Sequence, residues 1–171
     1  MVVYYLVIYD VHIGLSASPT EGKKDSPLSI DWSQLALPLM QAPMFIVSSL
    51  ELATAACRTG VIGSFPVGNP RAPESLDTWL GALRQAERES LDRGERFAPF
   101  CVNLLASSAV DQATRTDRLR VCERARAPLI LTNLGDPRAE VQAAHGWGGI
   151  VFHDVTNLRS PKRRSRPGST A

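Results

Sequence analysis

The sequence predicts an α/β fold built from repeated βαβ units, on three observations. Apolar runs of strand length alternate with longer segments of helical periodicity from residue 35 onward. Those runs lack strict two-residue alternation, as strands covered on both faces do. Helix start and stop residues stand at the junctions between them. A parallel sheet follows, either open and doubly wound or part of a (β/α)8 barrel. Neither a G-x-G-x-x-G turn nor a Walker lysine follows any strand, which weakens the nucleotide-binding open sheet.

The first strand is expected in "LALPLMQA" (35–42), ahead of the helical "SSLELATAACRTG". Ser48 or Ser49 can cap that helix, and Gly60 sits where a left-handed C′ residue belongs. The second strand, "VIGSFPVG", precedes "ESLDTWLGALRQAERES", in which Leu76, Trp79, Leu80 and Leu83 are spaced to bury one face. A third strand, "FAPFCVNLLA", leads to a helix near 111–126, and a fourth is "PLILTNLG". In "DPRAEVQAAHG", Asp136 is placed to cap and Pro137 to open the helix. The fifth strand is "GGIVFHDVT".

Bulk properties exclude several classes. With 171 residues, 44% hydrophobic and 21% charged, the chain has the composition of one globular domain. Cys57, Cys101 and Cys122 share no metal-ligand spacing and read as buried apolar residues in a reducing compartment, so no metal site and a cytoplasmic location are expected. The net charge of +2 is concentrated in Lys162, Arg163, Arg164 and Arg166. Without those four, the 19 lysines and arginines fall to 15 against 17 acids, a net charge of −2. Nucleic acid is therefore not the expected partner. "MVVYYLVIYDVHIGL" is broken by Asp10 and His12 and is short of the ~20 residues of a membrane span. It also lacks the basic start of a signal peptide, so no membrane attachment is expected. The Ser/Pro/Lys-rich stretch after it reads as linker.

Chemistry in a parallel sheet gathers at the carboxyl ends of the strands. Those positions hold Ala42-Pro43-Met44, Gly68-Asn69, Asn103, Thr132-Asn133 and His153-Asp154. The Asn103 amide can meet a ring edge bearing N–H and C=O groups, or bond its own turn. Pro43 can hold backbone against a flat ligand or make a rigid corner. His153 can serve as base, as hydrogen-bond donor to an anion, or as a satisfied core histidine. His145 is placed in the last turn of its helix, where the dipole favours it.

Taken together, "LALPLMQAPMFIVSSLELATAACRTGVIGSF", "FAPFCVNLLA", "PLILTNLGDP" and "GGIVFHDVTNLR" resemble the nitronate monooxygenase family, formerly called 2-nitropropane dioxygenases. The resemblance covers roughly residues 29–159. It implies an FMN-dependent (β/α)8 TIM-barrel type, incomplete, with about the first five βα units. It implies flavin contacts from the backbone of Ala42, Pro43 and Met44 and from Asn103, with His153 on the substrate side. The implied reaction oxidises an alkyl nitronate with O2 to a carbonyl compound and nitrite. The same superfamily implies two alternatives, an FMN-dependent enoyl-thioester reductase and a non-catalytic half-barrel.

The resemblance also implies missing parts. The family's Gly-Gly-His element and its phosphate-gripping loops would follow residue 159. Residues 1–28 match nothing in the family, and the basic segment 160–171 is expected to be an out-of-frame tail. Five strands cannot close an eight-stranded barrel, so two bare sheet edges, weak or absent FMN binding, low solubility and no turnover are expected.

Overall fold

A computed structural model of the protein describes residues 5–9, 31–71, 74–107 and 109–155. Its elements are β1 (Tyr5–Tyr9), α1 (Leu50–Arg58), β2 (Gly63–Pro66), α2 (Leu76–Asp92), β3 (Phe100–Leu105), α3 (Gln112–Arg124), β4 (Leu129–Asn133), α4 (Arg138–Trp147) and β5 (Ile150–Val155). A single turn of 3-10 helix, Trp32–Gln34, lies before α1. One sheet runs in the order β1-β5-β4-β3-β2. Strands β2 to β5 are parallel neighbours in chain order, each joined to the next by a helix.

The helix signals act where the sequence puts them. Ser49 caps α1 by accepting from Leu52 N–H at 3.2 Å. Gly60 follows that helix at φ +81, and Val61 N–H closes the terminus on Ala56 O at 3.0 Å. Ser75 caps α2 and Asp111 caps α3. Helix α4 begins one residue later than expected, at Arg138, whose N–H donates to Asp136 Oδ1 at 3.1 Å.

The expected first strand is the main correction. Residues 35–42 make a single β-bridge to the sheet, Met40 to Ile62. Gln41 N–H donates to Ile62 O, and Ile62 N–H donates to Leu39 O. Pro38 supplies no N–H, and around it Leu39 N–H folds back onto Leu37 O at 2.8 Å. That tight turn breaks the extended run before a ladder can form. The fifth strand of the sheet is instead β1, from the segment read as an extension. It pairs antiparallel with β5, from Tyr5 opposite Val155 to Tyr9 opposite Val151. The β5 edge expected to be bare is therefore paired. The linker stretch and the basic tail 160–171 lie outside the described residues.

Two apolar layers flank the sheet. Phe65, Phe100, Val102, Ile130 and Val151 face the helices and pack with Ala53, Cys57, Leu80, Leu83 and Trp147. Ile62, Cys101, Leu129, Leu131 and Phe152 face the other way, against Leu35, Met40 and Ile150. In a barrel this second face is the interior. The three cysteines are buried free thiols, and burial pushes Cys57 and Cys122 up to about 12. Glu140, 1% exposed, accepts from Arg115 Nη2 at 2.6 Å and Nε at 3.1 Å, which ties α4 to α3.

Gly63 sets how closely α1 approaches the sheet. A Cβ on it would stand 2.1 Å from the Ala53 carbonyl oxygen. Gly81, on the exposed side of α2, has nothing within 4 Å of its Cβ position. We therefore expect Gly63→Ala to lose about 3 kcal/mol in urea unfolding through overpacking. Gly81→Ala should gain up to about 1 kcal/mol from helix propensity. Equal effects at the two glycines would contradict this packing.

Candidate functional site at the carboxyl end of the sheet

The corner Gln41–Ser48 joins the bridge at Met40 to α1, and four polar side chains hold it. Ser48, fully buried, accepts from Met44 N–H at 2.8 Å and from Gln41 Nε2 at 2.8 Å, and its hydroxyl donates to Ala42 O at 3.2 Å. Gln41 Nε2 also donates to Ala42 O, while Gln41 Oε1 accepts from Ser64 N–H at 3.0 Å. The Ser64 hydroxyl donates to Gln41 O. From the end of β2, Asn69 Nδ2 donates to Met44 O at 3.0 Å and Ser48 O at 2.8 Å, and its Oδ1 accepts from Ile46 N–H at 3.3 Å. The two serines thus divide the work, Ser49 capping the helix and Ser48 fixing the corner.

The corner presents apolar side chains outward. Met44 is 40% exposed, and Phe45, Ile46 and Val47 are more exposed still. Ile46 sits at φ +70, a conformation that a β-branched residue adopts only under constraint, and Asn69 supplies it. Arg71 lies over the Phe45 ring at 5.5 Å and brings a positive charge to this rim.

Register decides which strand-end side chains share a face. Ser64, Cys101, Leu129 and Ile150 stand level across β2 to β5 on the interior face, and Pro66, Asn103, Leu131 and Phe152 form the next interior level. Asn103 is buried there, with Nδ2 donating to Leu131 O at 3.2 Å, and its own carbonyl accepts from Val67 N–H at 2.9 Å. Asn103 and the Ala42-Pro43-Met44 corner thus lie toward the same end of the sheet, with β2 between them.

His153 does not join them. It is level with Thr132 and two residues from Val151, on the helix-facing side. Its Nδ1 lies 2.8 Å from the Thr132 hydroxyl, which also donates to Phe152 O at 3.3 Å. Burial holds its imidazole below the usual range, opposed by Asp154, Thr132, Asp136 and Glu140. Among the described residues no cluster of His, Cys, Asp and Glu could hold a metal ion. No helix there is long and apolar enough to cross a membrane.

Sequence reasoning passed over Gln41 and named Ser48, Asn69, Asn133 and Asp154 without the roles they take here, Ser48 and Asn69 holding the corner and Asn133 and Asp154 facing the interior. Gln41 lies in the expected first strand and Asn69 in a strand-end pair, but only contacts across 23 and 25 positions reveal what they hold.

The chain matches no family model, and no curated protein matches it. Among solved structures it is similar to FabK from Thermotoga maritima, with a TM-score of 0.54 and 20% identity over 72% of this chain and 36% of that one. A mutant of that protein gives 0.48 and 21% over 72% and 38%. The matched stretch spans about a third of FabK's length, at 36%. At this identity the likeness carries the fold: an α/β chain whose four parallel strands correspond to part of a TIM barrel.

The His153 environment makes a pH prediction. Because its folded pKa lies below the unfolded value of about 6.5, the protonated form favours the unfolded chain. This contribution to stability is complete above that value and is lost as pH falls through it. Melting temperature should therefore fall less between pH 7.5 and pH 5.5, about one unit either side of that value, in His153→Gln than in the parent chain. Equal slopes would remove the argument.

Proposed function

We propose that the chain is the part of an FMN-dependent oxidoreductase that receives the flavin ring. The observation that carries the reading is the pinned corner, whose exposed apolar side chains and fixed backbone stand at the same end of the sheet as a buried Asn103. A planar heteroaromatic ring needs a flat, pre-ordered surface along one side and hydrogen-bonding groups at one edge. The Ala42-Pro43-Met44 backbone suits the first need and Asn103 the second, so the residues present fit the ring. The likeness to FabK supports the barrel frame in which this corner stands.

When bound, FMN supplies the electron chemistry, and the protein supplies orientation and electrostatics. Ser48 and Asn69 keep the corner from relaxing when the ring is absent, which lowers the ordering cost of binding. Exposed Phe45, Ile46 and Val47 exclude water from the side of the ring that they cover. Arg71, at the same rim, favours a negative charge developing on the substrate. The first substrate reading is an alkyl nitronate oxidised with O2, which an anion-favouring rim suits. The second is reduction of an enoyl thioester, which the fold supports equally. A non-catalytic half-barrel is the alternative outside enzymology.

Titration of FMN with the full chain should give saturable quenching of flavin fluorescence, weakened about tenfold or more in Ser48→Ala. A complex absorbing at about 450 nm then separates the reactions, by nitrite release from a nitronate or by nicotinamide-driven loss of an enoyl thioester. No saturable quenching by the full chain would overturn the flavin reading in favour of the half-barrel.

A further inference from the structure

Ser90 Oγ, Asn133 Oδ1, Glu140 Oε2 and Asp154 Oδ1 are buried without a hydrogen-bond partner among the described residues. Such atoms are uncommon and call for an explanation at each site. Glu140 already spends its other oxygen on Arg115, and Ser90 lies alone on α2. The remaining two belong together.

Thr132 and His153 are the last registered pair between β4 and β5. Asn133 and Asp154 stand one step further along these neighbouring strands and so face the opposite way. Asn133 shares a face with Leu131, and Asp154 shares one with Phe152, the interior face that also holds Asn103. Adjacent strands lie about 4.8 Å apart, so two acceptors on neighbouring strand ends can converge on one polar group. Both oxygens can only accept. Neither faces the helices, where a partner from α4 could have met them.

We propose that Asn133 Oδ1 and Asp154 Oδ1 form a paired acceptor for an N–H donor of the ligand, as an amide or ammonium group carries. The pair complements the rim near β2, where Arg71 favours an anion. A ligand lying across the strand ends would then direct its anionic group toward Arg71 and its N–H group toward β4 and β5. The inference rests on the proposed function only for the location of the ligand and not for the flavin.

A buried acceptor kept for a ligand weakens the protein that carries it, and an apolar replacement of similar size removes that weakness. Asn133→Leu and Asp154→Leu are each expected to raise the melting temperature of the full chain by about 3 °C or more. In the parent chain, propionamide should produce saturable amide chemical-shift changes at residues 133–135 and at Asp154. N,N-dimethylpropionamide, which has no N–H, should not, and Asp154→Leu should weaken the propionamide response about tenfold. A fall in melting temperature in both variants, or an equal response to the two amides, would overturn the proposal. Failure of FMN to bind, with these results intact, would remove the flavin reading and leave the acceptor pair.

Discussion

One hydroxyl group organises the candidate site. Ser48 is fully buried and accepts from both Met44 N–H and Gln41 Nε2 while it donates to Ala42 O. With Asn69 closing the outer side, it fixes six residues of irregular backbone that have no ladder of their own. Loop backbone at a sheet end ordinarily satisfies its polar groups with water. Here Met44 and Ile46 N–H and the Ala42, Met44 and Ser48 carbonyls are satisfied internally, which lets the Met44–Val47 run present apolar side chains outward. The positive φ of Ile46 is tolerated for the same reason: Asn69 holds its N–H in place.

The sheet contributes a second constraint, the alternation of side chains along each strand. Interior and helix-facing positions differ by one residue, so His153 and Asp154 point to opposite faces although they are neighbours in sequence. This places a titrating group against Thr132 on the helix side and a carboxylate on the same face as Asn103. The interior carboxyl end therefore carries amides and a carboxylate, while the imidazole belongs to the packing between sheet and helices. Gly63 adds the close approach of α1 that brings the pinned corner up to β2.

Much of this was legible in the chain, and the illegible parts have physical causes. Ser49, Ser75, Asp111 and Gly60 could be read because caps depend on local geometry alone. The parallel strands from Gly63 to Val155 could be read from their continuous apolar character. That same character concealed their parity: a strand buried on both faces has no alternation to reveal which residues point inward, so His153 and Asp154 could not be told apart. Pro38 carried the signal against a first strand in 35–42, but its effect depended on the turn that Leu39 makes back to Leu37. The pairing of β1 with β5 joins segments about 150 positions apart, as the register of Tyr5 with Val155 shows, and no local pattern announces such a contact. The roles of Gln41 and Asn69 were hidden for the same reason, since side-chain to backbone bonds between distant segments leave no periodicity.

The account depends on the corner being ordered before any ligand arrives. Amide hydrogen exchange at Met44 in the ligand-free chain measures this directly, because its N–H donates to a buried hydroxyl in a loop that water would otherwise reach. The account predicts exchange slowed about a hundredfold or more relative to an unstructured peptide, with most of that protection lost in Ser48→Ala. Exchange at the unprotected rate in the parent chain would contradict it.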